Sequence, residues 1–231
     1  HRLLLRIFNR FFFAFIACSK CVEEGLKKKG YKNVFLIRHG INLEECLNIK
    51  QRKLNKYSFC FAGRLIPEKN IPLLTESILS LGNKKNITLS IAGTGSDLSK
   101  LKTLTTNFNS LNVIDILGQL SRKQVRNVFA SNQFYISLSK SDGMPIAVLE
   151  AIACGCIPIL LYSRPHQELC ELGLQFISIP SDSTRDIKNS ILNAVNLSKE
   201  EIKSIRVNNN QKILNFSSIN MLERYKQIAY Y

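Results

Sequence analysis

The residues best suited to chemistry lie in the segment 139–155, which reads SKSDGMPIAVLEAIACG. Pro145 is well placed for the first turn of a helix, and the free backbone amides of such a turn form a site for an anion. Glu150 is the only charged residue of the apolar stretch 143–161, and burying a carboxylate there is costly unless it is hydrogen-bonded or faces a cleft. Asp142 stands eight positions earlier, at the mouth of the same helix. The pattern favours a ligand site; the plainer alternative is a helix with one Asp at its start and one Glu near its buried end.

Two cations follow an apolar run that ends at Ala62. The chain continues with Gly63 and Arg64, and Lys69 comes five residues after Arg64. A guanidinium grips phosphate oxygens in a fork and an ammonium adds a compact charge, so the pair suits a phosphate group. For this segment alone, the alternative is a solvated turn with two surface cations.

Glycines follow two further apolar runs. They let a backbone turn sharply or approach a ligand closely, although neighbouring Ser and Asp residues can simply cap the next helix. The candidate binding residues of these loops are Gly93, Gly95, Gly118, Gln119 and Leu120. Those of the longer acidic segment are Gly143 and Met144.

From residue 57 on, short β-rich runs alternate with helical patterns. Most of the runs are continuously apolar, as in strands covered on both faces, and the alternation predicts βαβ units and a parallel sheet with helices on both faces. Ligands of such open α/β sheets bind beyond the carboxyl ends of the strands, where the candidate residues fall. The predicted strands are 58–62, 87–92, 113–117, 134–138, 157–162 and 176–179. The predicted helices are 71–81, 98–107, 122–131, 146–154, 166–172, 187–195, 200–214 and 219–231.

The first quarter of the chain follows the same pattern. A helix over 3–10, a strand within 11–17, a helix after Ser19 and a strand over 34–37 resemble the last βαβ motif of a second sheet. The polar segment that follows lacks periodicity and predicts a linker. The predicted division is therefore an N-terminal remnant (1–40), a linker (41–56), a Rossmann-like domain (57–215) and a C-terminal helix (216–231).

The composition is that of an ordinary globular protein, with 45% hydrophobic and 21% charged residues among 231. The net charge of +15 invites a nucleic-acid partner. However, the first 56 residues alone carry +9, and the basic segment 20–32 has Tyr31 as its one aromatic residue, whereas such a surface would interleave several. No nucleic-acid partner is expected.

The seven cysteines are odd in number, and most lie in apolar runs, where thiols behave as small hydrophobic groups. Cys18 and Cys21 form a single CxxC with no second pair to complete a metal site, so free thiols in a reducing cytoplasm are expected. The longest uninterrupted apolar run near the N-terminus, 11–18, is far shorter than a membrane span of about 20 residues.

Taken together, these motifs resemble the retaining GT-B glycosyltransferases of family four. In the donor domain of that family, Gly-Arg and then Lys follow the first strand, a GxG loop follows the second, and two acids separated by seven residues mark the last strand-to-helix junction. Here the corresponding residues are Gly63-Arg64 with Lys69, Gly93-Thr94-Gly95, and Asp142 with Glu150. The resemblance covers 57–231 well and extends to 13–42.

The resemblance implies transfer of a sugar from a nucleotide-diphosphate sugar, expected to be a UDP-sugar, with retention of configuration and without a cofactor or divalent metal. Arg64 and Lys69 would hold the donor diphosphate, and Asp142 would contact the transferred sugar; these are the candidate catalytic residues. Glu150 would accept hydrogen bonds from the ribose hydroxyls. The remaining candidate donor contacts are Gly63, Gly93, Gly95, Gly143 and Met144, with Gly118, Gln119 and Leu120 beside the base.

Two departures from the family pattern qualify this interpretation. The first acid is usually Glu, whereas here it is the shorter Asp142, and most of the N-terminal acceptor domain is missing, which predicts a donor-binding half. The alternatives are a nucleotide-binding scaffold that has lost transfer and a basic nucleic-acid-binding module. An acceptor glycan or lipid-linked saccharide, and a role in cell-surface polysaccharide such as lipopolysaccharide, are further expectations.

The extreme N-terminus carries a cationic amphipathic stripe. Arg2, Arg6 and Arg10 recur at helical spacing beside Leu4 and Phe8, a pattern suited to an anionic membrane surface. A cytoplasmic protein, peripheral on the inner face of the membrane, is the expectation, and an ordinary surface helix is the alternative.

Overall fold

The computed structural model describes residues 2–49, 57–81, 86–107, 113–140 and 142–229. They form a small N-terminal α/β unit and a larger one built on a second parallel sheet. The α/β class predicted from the alternation of strands and helices is confirmed.

The N-terminal unit is a single βαβ motif preceded by a helix, as predicted. Its two strands are parallel, and Ser19 caps the intervening helix by accepting a hydrogen bond from the Val22 amide at 3.3 Å. The strand predicted within 11–17 is shorter than expected, because the first helix extends to Phe11 and pairing with the second strand begins only at Phe15. The elements are α1 (Arg2–Phe11), β1 (Phe15–Ala17), α2 (Lys20–Lys28) and β2 (Val34–Leu36).

The connecting segment contains a helix that its polar composition did not predict. This helix is α3 (Leu43–Leu47), which Asn42 caps by accepting a hydrogen bond from the Glu45 amide at 3.2 Å. One apolar side chain explains its position, since Cys46 is buried. The predicted linker residues 50–56 lie outside the described residues.

The second unit is built on a six-stranded, fully parallel sheet with the strand order β5-β4-β3-β6-β7-β8. Its centre is continuously buried, and this holds for every residue of β3, β6 and β7, as the apolar runs predicted. The strands are β3 (Ser58–Ala62), β4 (Thr88–Ala92), β5 (Ile114–Gly118), β6 (Phe134–Ser137), β7 (Ile157–Leu161) and β8 (Ile177–Ile179).

The direction of winding reverses at the centre of this sheet. From β3 the chain proceeds to β4 and β5 on one side, and it then returns to β6 beside β3 before continuing to β7 and β8. Right-handed crossovers therefore place the helices of the two halves on opposite faces. The reversal between β3 and β6 opens a crevice at their carboxyl ends, where ligands of such sheets bind.

The helices of this unit match their predicted positions closely, and the cap predicted at Ser121 is present. Ser121 and Gln124 form a reciprocal capping box at the start of α6. The fold ends with a helix whose first residues contact the connection: the Ile41 amide donates to the Phe216 carbonyl at 2.8 Å, and the Ser218 amide donates to the Ile41 carbonyl at 2.9 Å. The helices are α4 (Ile71–Leu79), α5 (Leu98–Asn107), α6 (Arg122–Ala130), α7 (Ile146–Ala153), α8 (Arg164–Glu171), α9 (Thr184–Asn196), α10 (Lys199–Lys212) and α11 (Ser218–Ala229).

Candidate nucleotide-sugar site

The crevice between β3 and β6 brings together two predicted catalytic residues. A short 3-10 helix (Pro67–Lys69) after β3 presents Lys69 to the loop after β6. There the Lys69 ammonium forms an ion pair with Asp142 and donates a hydrogen bond to the Ser139 hydroxyl, with Nζ and Oγ 3.1 Å apart. The Lys69 and Asp142 side chains are only 16% and 22% exposed. The structure thus joins the basic segment to the acidic one, about seventy residues away in sequence.

Arg64 lies in the loop after β3 but has a different environment. Its side chain is exposed, and no ion pair with another described residue engages its guanidinium. The backbone on either side is fixed, since the Gly63 and Leu65 amides donate to the carbonyls of Ala92 and Thr94 at 3.0 and 2.9 Å. The backbone at Arg64 is therefore fixed, while its exposed guanidinium is open to an anionic ligand.

The glycines after β4 lie where two loops approach each other closely, and their predicted contact with a ligand stays a prediction. Gly93 has a φ of +144°, and a Cβ atom at this position would lie 1.9 Å from the Gly63 carbonyl oxygen. A Cβ atom at Gly95 would lie 2.3 Å from the Leu65 carbonyl oxygen. Both glycines let the loops after β3 and β4 pack backbone to backbone at the carboxyl edge of the sheet.

The loop after β5 lies two strands from β3, at the edge of the sheet. Gly118 has a φ of +68°, and the space beside its Cα is open, in contrast to the crowded glycines after β4. Its carbonyl accepts a hydrogen bond from the Gly93 amide at 2.7 Å. Gln119 is exposed and Leu120 packs partly against the core. These residues lie at the same carboxyl edge of the sheet as the crevice but two strands from it, and a role beside the base stays a prediction.

The start of α7 differs from the prediction. Pro145 does not lie in the first turn but caps the helix, with φ and ψ of −80° and 77°. The Ile146 amide donates to the Met144 carbonyl at 2.9 Å, and the Val148 amide donates to the Pro145 carbonyl at 3.0 Å. The chain itself therefore uses two of the amides expected to bind an anion, because a tight turn centred on Pro145 brings the Met144 carbonyl to one of them and the first turn of the helix brings the Pro145 carbonyl to the other. Met144 is buried, whereas the neighbouring Gly143 is exposed.

Glu150 lies in α7, slightly more than one turn from its start, and is half-buried. Burial raises the pKa of its carboxyl group, while the positive charges of Arg126 and Arg122 on α6 oppose that rise and Glu45 on α3 adds to it. Arg126 is itself buried and forms an ion pair with Glu45. The carboxyl group thus lies in partly apolar surroundings with guanidinium groups nearby, and its role in accepting hydrogen bonds from a ligand stays a prediction.

Sequence reasoning missed two residues of the crevice. Ser139, only 1% exposed, holds Lys69, although its residue type alone distinguishes it little from the other serines of the chain. His166, at the start of α8, has no catalytic partner near it in the sequence, yet it is fully buried, and its Nδ1 lies 2.7 Å from the Leu161 carbonyl oxygen. Burial lowers the pKa of His166, which the charges of Asp142 and Lys69 also influence in opposite directions. Only the fold brings this imidazole near the ion pair.

The N-terminal unit faces the same crevice. A Cβ atom at Gly143 would lie 3.0 Å from the Cys18 sulfur and 3.9 Å from a methyl carbon of Val22. The junction of β1 and α2 therefore rests against the loop that carries Asp142. Among the described residues, no group of three His, Cys, Asp or Glu side chains is arranged to hold a metal ion.

The family model described as glycosyl transferases group 1 matches residues 44–213. The chain belongs to this family. This match includes the loops with Arg64, Lys69, Asp142 and Glu150, and it agrees with the resemblance drawn from the motifs.

Individual relatives agree with this assignment. An uncharacterized glycosyltransferase of Methanocaldococcus jannaschii is 25% identical over 226 residues, which cover 92% of this chain and 57% of that protein. The chain spans about half the length of the curated relatives it matches. The fold is similar to that of HepE from Anabaena, crystallised with UDP and glucose (TM-score 0.83, 15% identity, 99% of this chain and 66% of the other). It is also similar to the pneumococcal O-GlcNAc transferase GtfA, crystallised with UDP and GlcNAc (TM-score 0.72, 21% identity, 92% of this chain and 44% of the other).

Proposed function

We propose that this chain binds the nucleotide-diphosphate sugar of a retaining glycosyltransferase, which transfers the sugar to an acceptor glycan or a lipid-linked saccharide. The observation that carries the proposal is the meeting of Lys69 and Asp142 in the crevice where the sheet reverses direction. Arg64 lies in the loop after β3 that leads to Lys69, and Glu150 lies in the helix that follows Asp142, so in this proposal a phosphate-binding cation and a hydroxyl-binding carboxylate accompany the pair. Similarity to HepE and GtfA, both crystallised with UDP, supports a UDP-sugar as the donor.

In this proposal, these residues bind different parts of the donor. Arg64 is exposed and unpaired among the described residues, so it is the first cation that the diphosphate meets. Lys69 then exchanges the Asp142 carboxylate for a phosphate oxygen. As the bond between sugar and phosphate breaks, negative charge grows on the leaving diphosphate, and the two cations stabilise that charge more than the ground state.

Two carboxyl groups complete the proposed site. Asp142, released from Lys69, lies beside the position of the transferred sugar. Glu150 accepts hydrogen bonds from the ribose, and a charge-assisted bond of this kind is about twice as strong as a neutral one. The two cations neutralise the diphosphate in this scheme, so donor binding requires no divalent metal.

The test is calorimetry of the chain with UDP, GDP and ADP in the presence of EDTA. Arg64→Ala with Lys69→Ala removes two charge-assisted contacts of roughly 1.5–3 kcal/mol each, so UDP affinity should fall by at least about a hundredfold. Lys140→Ala is the matched control, since Lys140 lies in the same loop as Asp142 but pairs with Asp182 at the surface. Unchanged UDP affinity in the double variant would contradict the phosphate assignment.

A second set of results would favour the alternatives. UDP binding without transfer, when the protein is assayed with lipid-linked acceptors, would indicate a scaffold. Salt-sensitive retention on heparin that UDP does not affect would indicate a nucleic-acid-binding module.

We also propose that the N-terminal helix contacts an anionic membrane surface, as part of cell-surface polysaccharide synthesis on the cytoplasmic side. Large apolar side chains of α1 and the following turn are exposed beside the exposed Arg10, which suits anionic lipid headgroups. The side chains of Arg2 and Arg6 lie outside the described residues. No helix within the described part of the chain combines the length and apolarity needed to cross a membrane. The exposed apolar side chains are Leu4, Ile7, Phe11, Phe12 and Phe13.

A further inference from the structure

A buried carboxylate joins the N-terminal unit to the donor-binding unit. Glu168 of α8 is only 2% exposed, and its hydrogen bonds go to residues outside the proposed donor site. Both of its oxygens accept a hydrogen bond from the Lys20 amide, at 3.1 and 2.9 Å. Its Oε1 also accepts a hydrogen bond from Arg38 Nε at 2.8 Å. Lys20 and Arg38 both belong to the N-terminal unit, whereas Glu168 belongs to the donor-binding unit.

The position of Glu168 suits its charge. Lys20 is the first residue of α2, where the helix dipole and the unpaired amides attract an anion. Arg38 follows β2 and is itself 18% exposed, so the carboxylate is paired and hydrogen-bonded despite its burial. One side chain thus binds both the helix and the strand end of the N-terminal βαβ motif.

This attachment lies close to the proposed sugar site. Cys18 and Val22 flank the residue that Glu168 binds, and they are the side chains that contact the loop at Gly143. Gly143 lies next to Asp142, which pairs with Lys69. If α2 moved away from Glu168, the side of the donor loop that contacts the N-terminal unit would therefore become exposed.

We propose that Glu168 is a positioning residue for the transfer reaction, which holds the junction of β1 and α2 over the donor loop. It touches neither donor nor acceptor in this scheme; it fixes the wall of the cleft that faces the transferred sugar. The inference rests on the proposed function for the identity of the donor, but the attachment itself is testable without any ligand.

A cross-linking experiment measures this attachment directly. Gly143→Cys places a second thiol within reach of the Cys18 sulfur, since a Cβ atom at position 143 would lie 3.0 Å from it. Oxidised glutathione then converts the two thiols into a disulfide and is itself reduced to two thiols. The rate of cross-linking, followed by peptide mass spectrometry, reports how often Cys18 rests on the donor loop.

In the Gly143→Cys background, Glu168→Gln should slow cross-linking by about tenfold or more. The sign is informative, because the Glu168 charge is among the causes that raise the pKa of Cys18; removing it alone would increase the thiolate fraction and speed the reaction. Glu171→Gln is the matched control, since Glu171 is also on α8 and pairs with the Lys20 side chain, but at the surface. It should change the rate by less than about twofold.

Calorimetry with UDP separates this inference from the proposed function. Glu168→Gln in the otherwise natural sequence should keep UDP affinity within about threefold, because the hydrogen bonds of Glu168 go to Lys20 and Arg38 and not to Arg64 or Lys69. If Glu168→Gln in the Gly143→Cys background cross-links as fast as Gly143→Cys alone, the inference is overturned, whatever the UDP affinity. Failure of the natural protein to bind UDP would instead contradict the proposed function. If Glu168→Gln does not fold, Arg38→Gln serves as the second variant and should also slow cross-linking, with an unchanged rate counting against the inference.

Discussion

Replacing Asp142 by Asn tests whether the ion pair in the crevice competes with the donor. The Asp142 carboxylate neutralises Lys69, and Ser139 accepts a second hydrogen bond from the same ammonium at 3.1 Å. A diphosphate must displace the carboxylate and then lie close to it. Asn keeps the shape of the side chain and removes the charge, so both costs fall.

The expected magnitude follows from the burial of the pair. Two unit charges about 4 Å apart interact by about 4 kcal/mol at an effective dielectric constant of about 20. The side chains are 16% and 22% exposed, and the cost of desolvating Lys69 offsets much of this attraction. We therefore expect a net gain of about 1–2 kcal/mol in UDP binding, which is roughly 5–30-fold in affinity.

The assay is calorimetric titration of wild type and Asp142→Asn with UDP and with UDP-glucose, in EDTA and at two salt concentrations. The gain should be larger for UDP than for UDP-glucose, because the proposed sugar contact of Asp142 is weakened in the variant. Asp182→Asn is the control, since Asp182 pairs with Lys140 in an exposed ion pair and should change UDP affinity by less than about twofold. Weaker UDP binding by Asp142→Asn would refute the competition, because it would mean that the carboxylate supports the nucleotide.

Three further predictions concern other parts of the chain. Burial raises the pKa of Glu150, so the folded protein binds a proton there more readily than the unfolded chain does. Glu150→Gln should therefore raise the Tm at about pH 7 without ligand, and this gain in Tm should vanish below the ordinary Glu pKa. The same variant should lower UDP affinity by about tenfold or more. Gly93→Ala should lower the free energy of unfolding in denaturant titrations by about 3 kcal/mol or more, because its φ is +144° and a carbonyl lies 1.9 Å from the new atom, whereas Gly118→Ala, with open space beside it, should cost about 1 kcal/mol. Phe11→Ser with Phe13→Ser should reduce co-sedimentation with vesicles containing phosphatidylglycerol several-fold and leave UDP affinity unchanged; equal sedimentation would remove the proposed membrane contact.

The sequence predicted the donor-binding sheet because its strands are continuously apolar. A run such as Ile157–Leu161 has no polar face and must be covered on both sides, so its position needs no knowledge of its neighbours. The elements near the connection were harder to predict. The helix Leu43–Leu47 is only five residues long, and Cys46 is its one buried residue, so helical periodicity could not reveal it.

The residues of the site also differ in how far the sequence could predict them. Lys69 and Asp142 could be proposed from their residue types and their places after strands, and the sheet order then brings them together. Ser139 and His166 could not, since their roles depend on which loops adjoin at the carboxyl ends of β6 and β7. The glycines after β4 are special positions in the sequence too, but whether a ligand or a carbonyl fills the adjacent space is a property of the packed loops.

The distribution of charge now has a physical interpretation. The net charge of +15 is far larger than one site requires, and at the crevice itself Asp142 cancels the charge of Lys69. In the proposed scheme, the field of the whole chain first attracts the nucleotide sugar, which raises association rates at low salt, and exposed Arg64 attracts it next. Lys69 would contribute only after Asp142 has moved, when the diphosphate is already bound. The association rate of UDP should accordingly depend strongly on salt and on Arg64, whereas Lys69→Ala should change mainly the dissociation rate. Stopped-flow measurements in which Lys69→Ala slows association and Arg64→Ala speeds dissociation would contradict this order of events.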